Sequence, residues 1–214
     1  MGLFNIFSKN ATKPYKDEGL NKIYELLFCD NINLFKTEKK SLLYPWDILL
    51  SDNPNKEKLR AIATDKSLEG RHRMLAYNLL GINGETTNEK ELLGVIVEVA
   101  LPEGLDVLAA FSDGSARYIN HSEKILVWET QTEQSNELIK ELFSDSKIVV
   151  NQIGPWDKER KPFPTRGMVR MTFLVSNGLY FGEGSFDALQ REPMAGDVIN
   201  SAMQLMTYLT KQAL

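Results

Sequence analysis

The sequence has 214 residues, of which 43% are apolar and 25% are charged, and its formal net charge is −4. This length fits one large domain, or a core domain with an appendage, and the composition is that of an ordinary globular protein. It excludes a disordered chain and a collagen-like repeat. One cysteine and two histidines exclude an internal disulfide and nearly every zinc-site pattern.

Residues 1–19 are predicted to form a loosely held leader. Four apolar side chains share one side of a short helix there: Leu3, Phe4, Ile6 and Phe7. This side docks on the chain's own domain, or it acts as a weak tether to a membrane or a partner. The apolar stretch is too short for a signal peptide, and no apolar run approaches the ~18 residues of a membrane span. We therefore expect a cytoplasmic protein without an integral membrane segment.

Residues 20–85 are predicted to form a helical N-terminal portion. Apolar residues recur at helical spacing over 20–29, which indicates an amphipathic helix. A second helix begins at Asn53 and Pro54, with the asparagine as the cap and the proline at the first helical position. A third helix is predicted over 67–80, where a glycine ends it.

Residues 86–214 are predicted to form an α+β core. Its first strands cover residues 92–101, 105–112, 115–121 and 124–128. Asp113 and Gly114 suit a type I′ hairpin turn, because both central residues of that turn need positive φ. A helix over 132–143 and a short strand over 148–153 follow.

A second hairpin is predicted to pair residues 169–175 with 179–181. Asn177 and Gly178 separate these strands and are another type I′ signal. The chain then ends in a long helix that begins near residue 196, because apolar residues recur there at helical spacing up to Leu209.

The predicted strands are apolar on both faces. In the first strand one face holds Leu93, Val95, Val97 and Val99, and the other holds Ile96 and Ala100. A sheet that is wet on one face would alternate between apolar and polar residues. We therefore predict an α+β fold with a mainly antiparallel sheet of about five to seven strands and helices on both faces. By analogy it resembles profilin-like and roadblock-like sandwiches, which mostly serve as dimerisation and docking platforms.

Four sequence blocks carry a further resemblance: Ala110–His121, Ile125–Glu129, Ile153–Trp156 and Gly178–Gly184. These blocks resemble a group of bacterial proteins that has no known activity, and the resemblance covers about residues 46–214. It implies a bacterial, cytoplasmic setting and brings no catalytic residue with it.

The catalytic candidates are His121 and Glu183. His121 stands beside Ser122 near a strand end, but neighbouring residues on a strand point to opposite faces, so the serine would not face the imidazole. A structural histidine at a turn is the favoured interpretation. An enzyme or small-ligand site near His121, Arg117 and Glu183 is the second hypothesis, and it needs a pocket that holds all three side chains.

Glu98 interrupts an otherwise apolar strand. If it is buried it needs a partner, because an unpaired buried carboxylate is costly. Arg117 and Arg170 on neighbouring strands are the candidate partners. An edge or sheet-end position, where the carboxylate reaches water, is the alternative.

The best candidate for a binding surface is the segment 154–167. Fourteen residues without regular structure between two strands are unusual in a compact domain, and such loops are often functional. Aromatic and arginine side chains are typical interface anchors. With Arg117, the candidate binding residues are Trp156, Arg160, Lys161, Phe163 and Arg166. The alternative is a solvent-exposed loop that its prolines make rigid, with Trp156 packed into the core of the same chain.

The sequence thus favours a non-enzymatic protein-interaction module, such as an adaptor, a regulatory protein or an immunity-type protein. We expect a protein partner or a second copy of the chain, and neither a metal nor a cofactor. Nucleic acid is not an expected partner, because the basic cluster is small and the whole chain is acidic. Residues 91–150 hold 4 Lys and Arg against 11 Asp and Glu, which indicates a solvated acidic face or a surface for a basic partner.

Overall fold

The computed structural model describes residues 13–36 and 43–212. Its N-terminal helices are α1 (Glu18–Leu26), a 3₁₀ turn (Ile32–Phe35), α2 (Trp46–Leu49), α3 (Lys56–Thr64) and α4 (Gly70–Ile82). Its strands are β1 (Leu92–Ala100), β2 (Leu105–Phe111), β3 (Ala116–Ile119), β4 (Ile125–Trp128), β5 (Met168–Val175) and β6 (Gly178–Ser185). The remaining helices are α5 (Glu133–Gln152), α6 (Phe186–Arg191) and α7 (Pro193–Gln212).

The six strands form one antiparallel sheet in the order β4-β3-β2-β1-β5-β6. Helices α1, α3 and α4 cover one face, where they bury Ile96 and Leu174. Helices α5 and α7 cover the other face, where they bury Val95 and Phe173. Apolar residues on both sides of the central strands are therefore shielded from water by helices. The predicted α+β fold with a helical N-terminal portion is confirmed.

A bulge in β1 corrects one detail of the predicted strand faces. The register between β1 and β5 shifts between Leu92 and Gly94. Leu93 consequently packs beneath the N-terminal helices together with Ile96, and not on the face of Val95. An inserted residue in a strand switches the faces to which the side chains before it point, relative to those after it. A sequence pattern with a period of two does not reveal such a bulge.

Neither hairpin forms the predicted type I′ turn. Between β2 and β3 the amide of Phe111 donates to the carbonyl of Ser115 at 2.9 Å. Gly114 alone has a positive φ in this loop, +84°, which fits a three-residue connection with glycine in the left-handed position. Between β5 and β6 the closing pair is Val175 and Gly178, so the glycine belongs to the strand and not to the turn.

Helix α5 is longer than the predicted helix over 132–143. It runs without interruption to residue 152, so the predicted strand over 148–153 is wrong. Thr132 and Ser135 form a reciprocal capping box at its start. The β-branched pair at 149–150 favours a strand by propensity, but both side chains are buried on the face that α5 packs against the sheet. Tertiary packing has overridden local propensity here.

Two other helices begin a few residues from their predicted starts. Helix α3 begins after Asn55, whose side chain accepts the amide of Lys58 at 3.0 Å, and not at Asn53. Helix α7 begins at Pro193, three residues before Gly196. In α3 a neighbouring asparagine takes the capping position, and in α7 a proline takes the first helical position.

Residues 13–19, which belong to the predicted loosely held leader, are held against the sheet. Tyr15 is buried and its hydroxyl donates to the carbonyl of Leu105 at 3.2 Å. The carboxylate of Glu123, in the turn between β3 and β4, accepts the amides of residues 16 and 17 at 3.1 and 3.0 Å. The structure therefore differs from the prediction for these seven residues.

The apolar cluster over residues 3–7 lies outside the described residues, so the tether hypothesis stays a prediction. Among the helices that the structure does describe, none is both long and apolar enough to cross a membrane.

Two glycines of α4 allow a matched test of its packing. A Cβ on Gly70 would lie 2.7 Å from the backbone carbonyl oxygen of Leu93, whereas a Cβ on Gly81 meets nothing within 4 Å. We expect Gly70→Ala to lower the free energy of unfolding by about 1–3 kcal/mol through overpacking. Gly81→Ala is expected to raise it by about 0.5–1 kcal/mol, because alanine is the better helix former. Urea unfolding followed by circular dichroism measures both, and equal effects would contradict this account.

Candidate functional site

Arg160 fixes the 154–167 segment to the N-terminal portion. Its guanidinium pairs with the carboxylates of Glu25 and Asp30, with 2.6 Å between Nε and the Asp30 Oδ2. Its Cζ lies 3.9 Å from the centroid of the Phe28 ring. Burial lowers the pKa of Arg160, but the two carboxylates outweigh burial and raise the pKa above its ordinary value. We call these four residues the Arg160 clasp.

Glu98 lies fully buried in β1, an inner strand of the sheet, beneath α1. Its Oε1 accepts a hydrogen bond from the Tyr24 hydroxyl at 2.6 Å. Its Oε2 has no hydrogen-bond partner among the described residues and lies 3.9 Å from Nη1 of Arg170. Burial raises the pKa of the Glu98 carboxyl, and Tyr24 and Arg170 partly offset this. Of the two arginines proposed as its partner, Arg170 is near it, and the alternative of an edge or sheet-end position reaching water is wrong.

Arg170 joins three neighbouring strands through one guanidinium. It stands directly opposite Glu98 in the β1–β5 ladder and directly opposite Glu183 in the β5–β6 ladder. Its Nε donates to the Glu183 Oε2 at 2.7 Å, and its Nη1 donates to the carbonyl of Lys161 at 3.2 Å. The candidate acid Glu183 is thus engaged within the chain, and the loop rests on the same guanidinium.

Trp156 and Phe181 form an edge-to-face aromatic pair beside this arginine, and we call this pair the aromatic step. Their ring centroids are 4.8 Å apart with an interplanar angle of 70°. The backbone amide of Trp156 donates to the carbonyl of Leu179 at 2.7 Å, which places the tryptophan at the outer edge of β6. Both rings are half-buried, so each keeps part of its surface in contact with water.

Two exposed lysines surround the aromatic step. The Nζ atoms of Lys158 and Lys161 lie 5.5 and 5.7 Å from the centroid of Trp156, and Lys161 also lies 5.1 Å from that of Phe181. No carboxylate of the described residues lies within 4.0 Å of either ammonium group. We call Trp156, Lys158, Lys161 and Phe181 the Trp156 platform.

The other two candidates of the segment have different surroundings. Phe163 is half-buried against the core beneath the N-terminal helices. It also lines a cleft of about 460 Å³ between α1 and the loop, together with Tyr24 and Lys161. Arg166 is exposed where the loop ends, just before β5. The structure therefore brings Trp156 and Lys161 to one surface, and it places Arg160 and Phe163 in packing contacts.

His121, Arg117 and Glu183 do not share a site. Nδ1 of His121 lies 2.9 Å from Oδ1 of Asp106, and the same oxygen accepts the backbone amide of His121 at 2.7 Å. Arg117 is buried and pairs with Glu129 at 2.6 Å. Three strands separate β3 from β6, so Glu183 lies roughly 19 Å away across the sheet.

The remaining histidine, His72, is buried on the inner face of α4. Its ring lies 4.7 Å from that of Trp46, edge to face. Its Nδ1 has no hydrogen-bond partner in the described part of the chain, so the residue lies in the core with this nitrogen unpaired. Within residues 13–36 and 43–212, no group of three or more His, Cys, Asp or Glu is placed to hold a metal ion.

Sequence reasoning missed the partners that α1 supplies. Tyr24 fits the apolar stripe of that helix, and nothing in the stripe distinguishes it from a purely apolar contact. Glu25 and Asp30 are 135 and 130 residues from Arg160 in the chain. No local pattern signals a contact over that separation, since only the packing of α1 on the sheet creates it.

Removal of Arg160 tests the clasp. We expect Arg160→Ala to lower the free energy of unfolding by about 2–4 kcal/mol, because it leaves two carboxylates without their shared cation. Arg160→Lys keeps the charge but not the two-pronged geometry, so it should recover only part of the loss. Arg166→Ala is the control, with a change of less than about 0.5 kcal/mol. Denaturant unfolding measures all three, and equal losses for Arg160→Ala and Arg166→Ala would refute the clasp.

The buried carboxyl predicts a pH dependence of stability. Because the pKa of Glu98 is raised above 4.5 in the folded chain, the unfolded chain loses this proton first as the pH rises. We therefore compare the free energy of unfolding of the wild type with that of Glu98→Gln. The wild-type value minus the variant value is greatest at or below about pH 4, and it falls as the pH rises through the folded-state pKa of Glu98. Unfolding curves between about pH 4 and pH 8 measure it, with Glu159→Gln as an exposed control. A difference that stays constant or grows with pH would contradict the prediction.

No protein-family model matches the sequence, and neither a curated protein nor a solved structure shows significant similarity to it. The resemblance to a group of bacterial proteins and the analogy with profilin-like and roadblock-like sandwiches thus stay predictions. The candidate site therefore rests on the contacts between its own residues and on no similarity to a known protein.

Proposed function

We propose that the chain is a non-enzymatic protein-interaction module and that the Trp156 platform is its docking surface. The observation that carries the proposal is the pair of lysines around a half-exposed aromatic step, neither of which has a carboxylate partner among the described residues. Aromatic side chains with cationic neighbours are enriched among the residues that dominate binding at protein interfaces.

The surroundings of the platform support this role. The Arg160 clasp holds one side of the loop, and the contact between Arg170 and the carbonyl of Lys161 holds its middle. A loop that is already fixed loses little conformational entropy when a partner binds. These contacts support a platform that needs little further ordering when a partner binds.

The groups that an enzyme would use are engaged in structural contacts. His121 pairs with Asp106, and Glu183 pairs with Arg170. These contacts favour an adaptor, regulatory or immunity-type protein over an enzyme with a site near His121, Arg117 and Glu183. A bacterial, cytoplasmic setting with a protein partner or a second copy of the chain completes the proposal.

A photo-crosslinker placed at two matched surface positions tests the platform. We expect the group at position 159, an exposed residue beside the platform, to capture a discrete partner in cells, and the group at position 140, an exposed lysine of α5 on the opposite face of the sheet, to capture none. Trp156→Ala should reduce the capture from position 159 by about tenfold, because it removes the aromatic anchor. Equal capture from both positions, or capture that does not depend on Trp156, would refute the proposed function.

A further inference from the structure

Strand β6 is one of the two edge strands of the sheet. Its closing pair with β5 is Val175 and Gly178, so hydrogen-bonded and non-hydrogen-bonded positions alternate from there. The carbonyl of Leu179 accepts the amide of Trp156 and therefore points away from β5. By the same alternation, the amides and carbonyls of Phe181 and Glu183 point outward from the sheet.

These four outward groups have no hydrogen-bond partner among the described residues. Natural sheets guard such an edge with lysine, proline or a very short strand. Strand β6 has eight residues and contains neither lysine nor proline. At the opposite edge, β4 has only four residues, which is itself a form of protection.

Trp156 already occupies the first position of a strand beyond β6. Its amide bond to Leu179 is the kind of bond that a seventh strand would make, and after Trp156 the chain turns over the face of the sheet towards Arg170. The edge next to Phe181 and Glu183 is thus continuous with a position that the protein fills itself.

The charges beside this edge select the partner. Lys158 and Lys161 flank Trp156 and Phe181 and have no carboxylate within 4.0 Å in the described part of the chain. The carboxylate of Glu183 is neutralised by Arg170. An incoming strand would therefore meet unpaired positive charge, which acidic side chains complement.

From these observations we infer that the β6 edge takes up an extended acidic segment of a partner protein as a seventh strand. Backbone hydrogen bonds to Phe181 and Glu183 supply affinity, and Lys158 and Lys161 bind alternate acidic side chains. The inference rests on the proposed function, since it names the binding mode and the partner chemistry of the same platform.

Labelled peptides of alternating valine and glutamate test the inference on the full-length protein. We expect fluorescence anisotropy to show binding that weakens with salt, and a valine–lysine peptide to bind at least about tenfold more weakly. N-methylation of one set of alternate residues should reduce affinity by about tenfold, because it removes the donors that face β6. N-methylation of the other set should leave it within about twofold.

Charge reversal on the protein gives the matched control. Lys158→Glu with Lys161→Glu should reduce the affinity for the acidic peptide by about tenfold. Lys140→Glu with Lys147→Glu changes the net charge equally on α5, and it should change affinity less than about twofold.

Equal affinity of the two N-methylated peptides, or no binding of the acidic peptide, overturns strand addition. In either case the proposed function still stands if crosslinking at position 159 depends on Trp156. Crosslinking that is independent of Trp156 overturns the proposed function itself, whatever the peptides do.

Discussion

The buried carboxylate of Glu98 is the constraint on which the site depends. A carboxylate that is removed from water requires hydrogen bonds and an opposite charge, and β1 supplies neither. Tyr24 reaches it from α1 and Arg170 reaches it from β5. One polar residue in an apolar strand thereby contacts both the first helix and a buried arginine of β5.

The same guanidinium connects the interior to the surface. Arg170 contacts buried Glu98 on one side, Glu183 on the other and the carbonyl of Lys161 above it. The loop that carries Trp156 and both platform lysines is therefore attached, through Arg170, to the fully buried carboxylate of Glu98. Arg160 provides a second attachment, to Glu25 of α1 and to Asp30 just after that helix. Neither arginine pairs with a carboxylate that lies within 4.0 Å of a platform lysine in the described part of the chain.

Much of the fold could be predicted from the sequence, because local patterns carry it. Apolar residues on both faces of β1 correctly indicated a sheet between two helical layers. Features that depend on tertiary contacts could not be predicted: the bulge at Leu93, the continuation of α5 past residue 148, and the partners of Arg160. For the candidate site, composition singled out the 154–167 segment and Trp156, and their role stays a prediction. The carboxylates that pair with Arg160 come from α1 and the residues just after it, more than a hundred residues earlier in the chain.

The strand pairings differ in the sequence separation of the strands that they join. The β1–β2–β3–β4 meander and the β5–β6 hairpin each form from neighbouring segments, whereas β1 and β5 meet across the whole of α5. Glu98 and Arg170 face each other at that junction. A slip of two residues would place Glu98 opposite Met168 or Thr172, with no cation directly across from it. The buried ion pair thus favours one register between the two locally formed halves of the sheet.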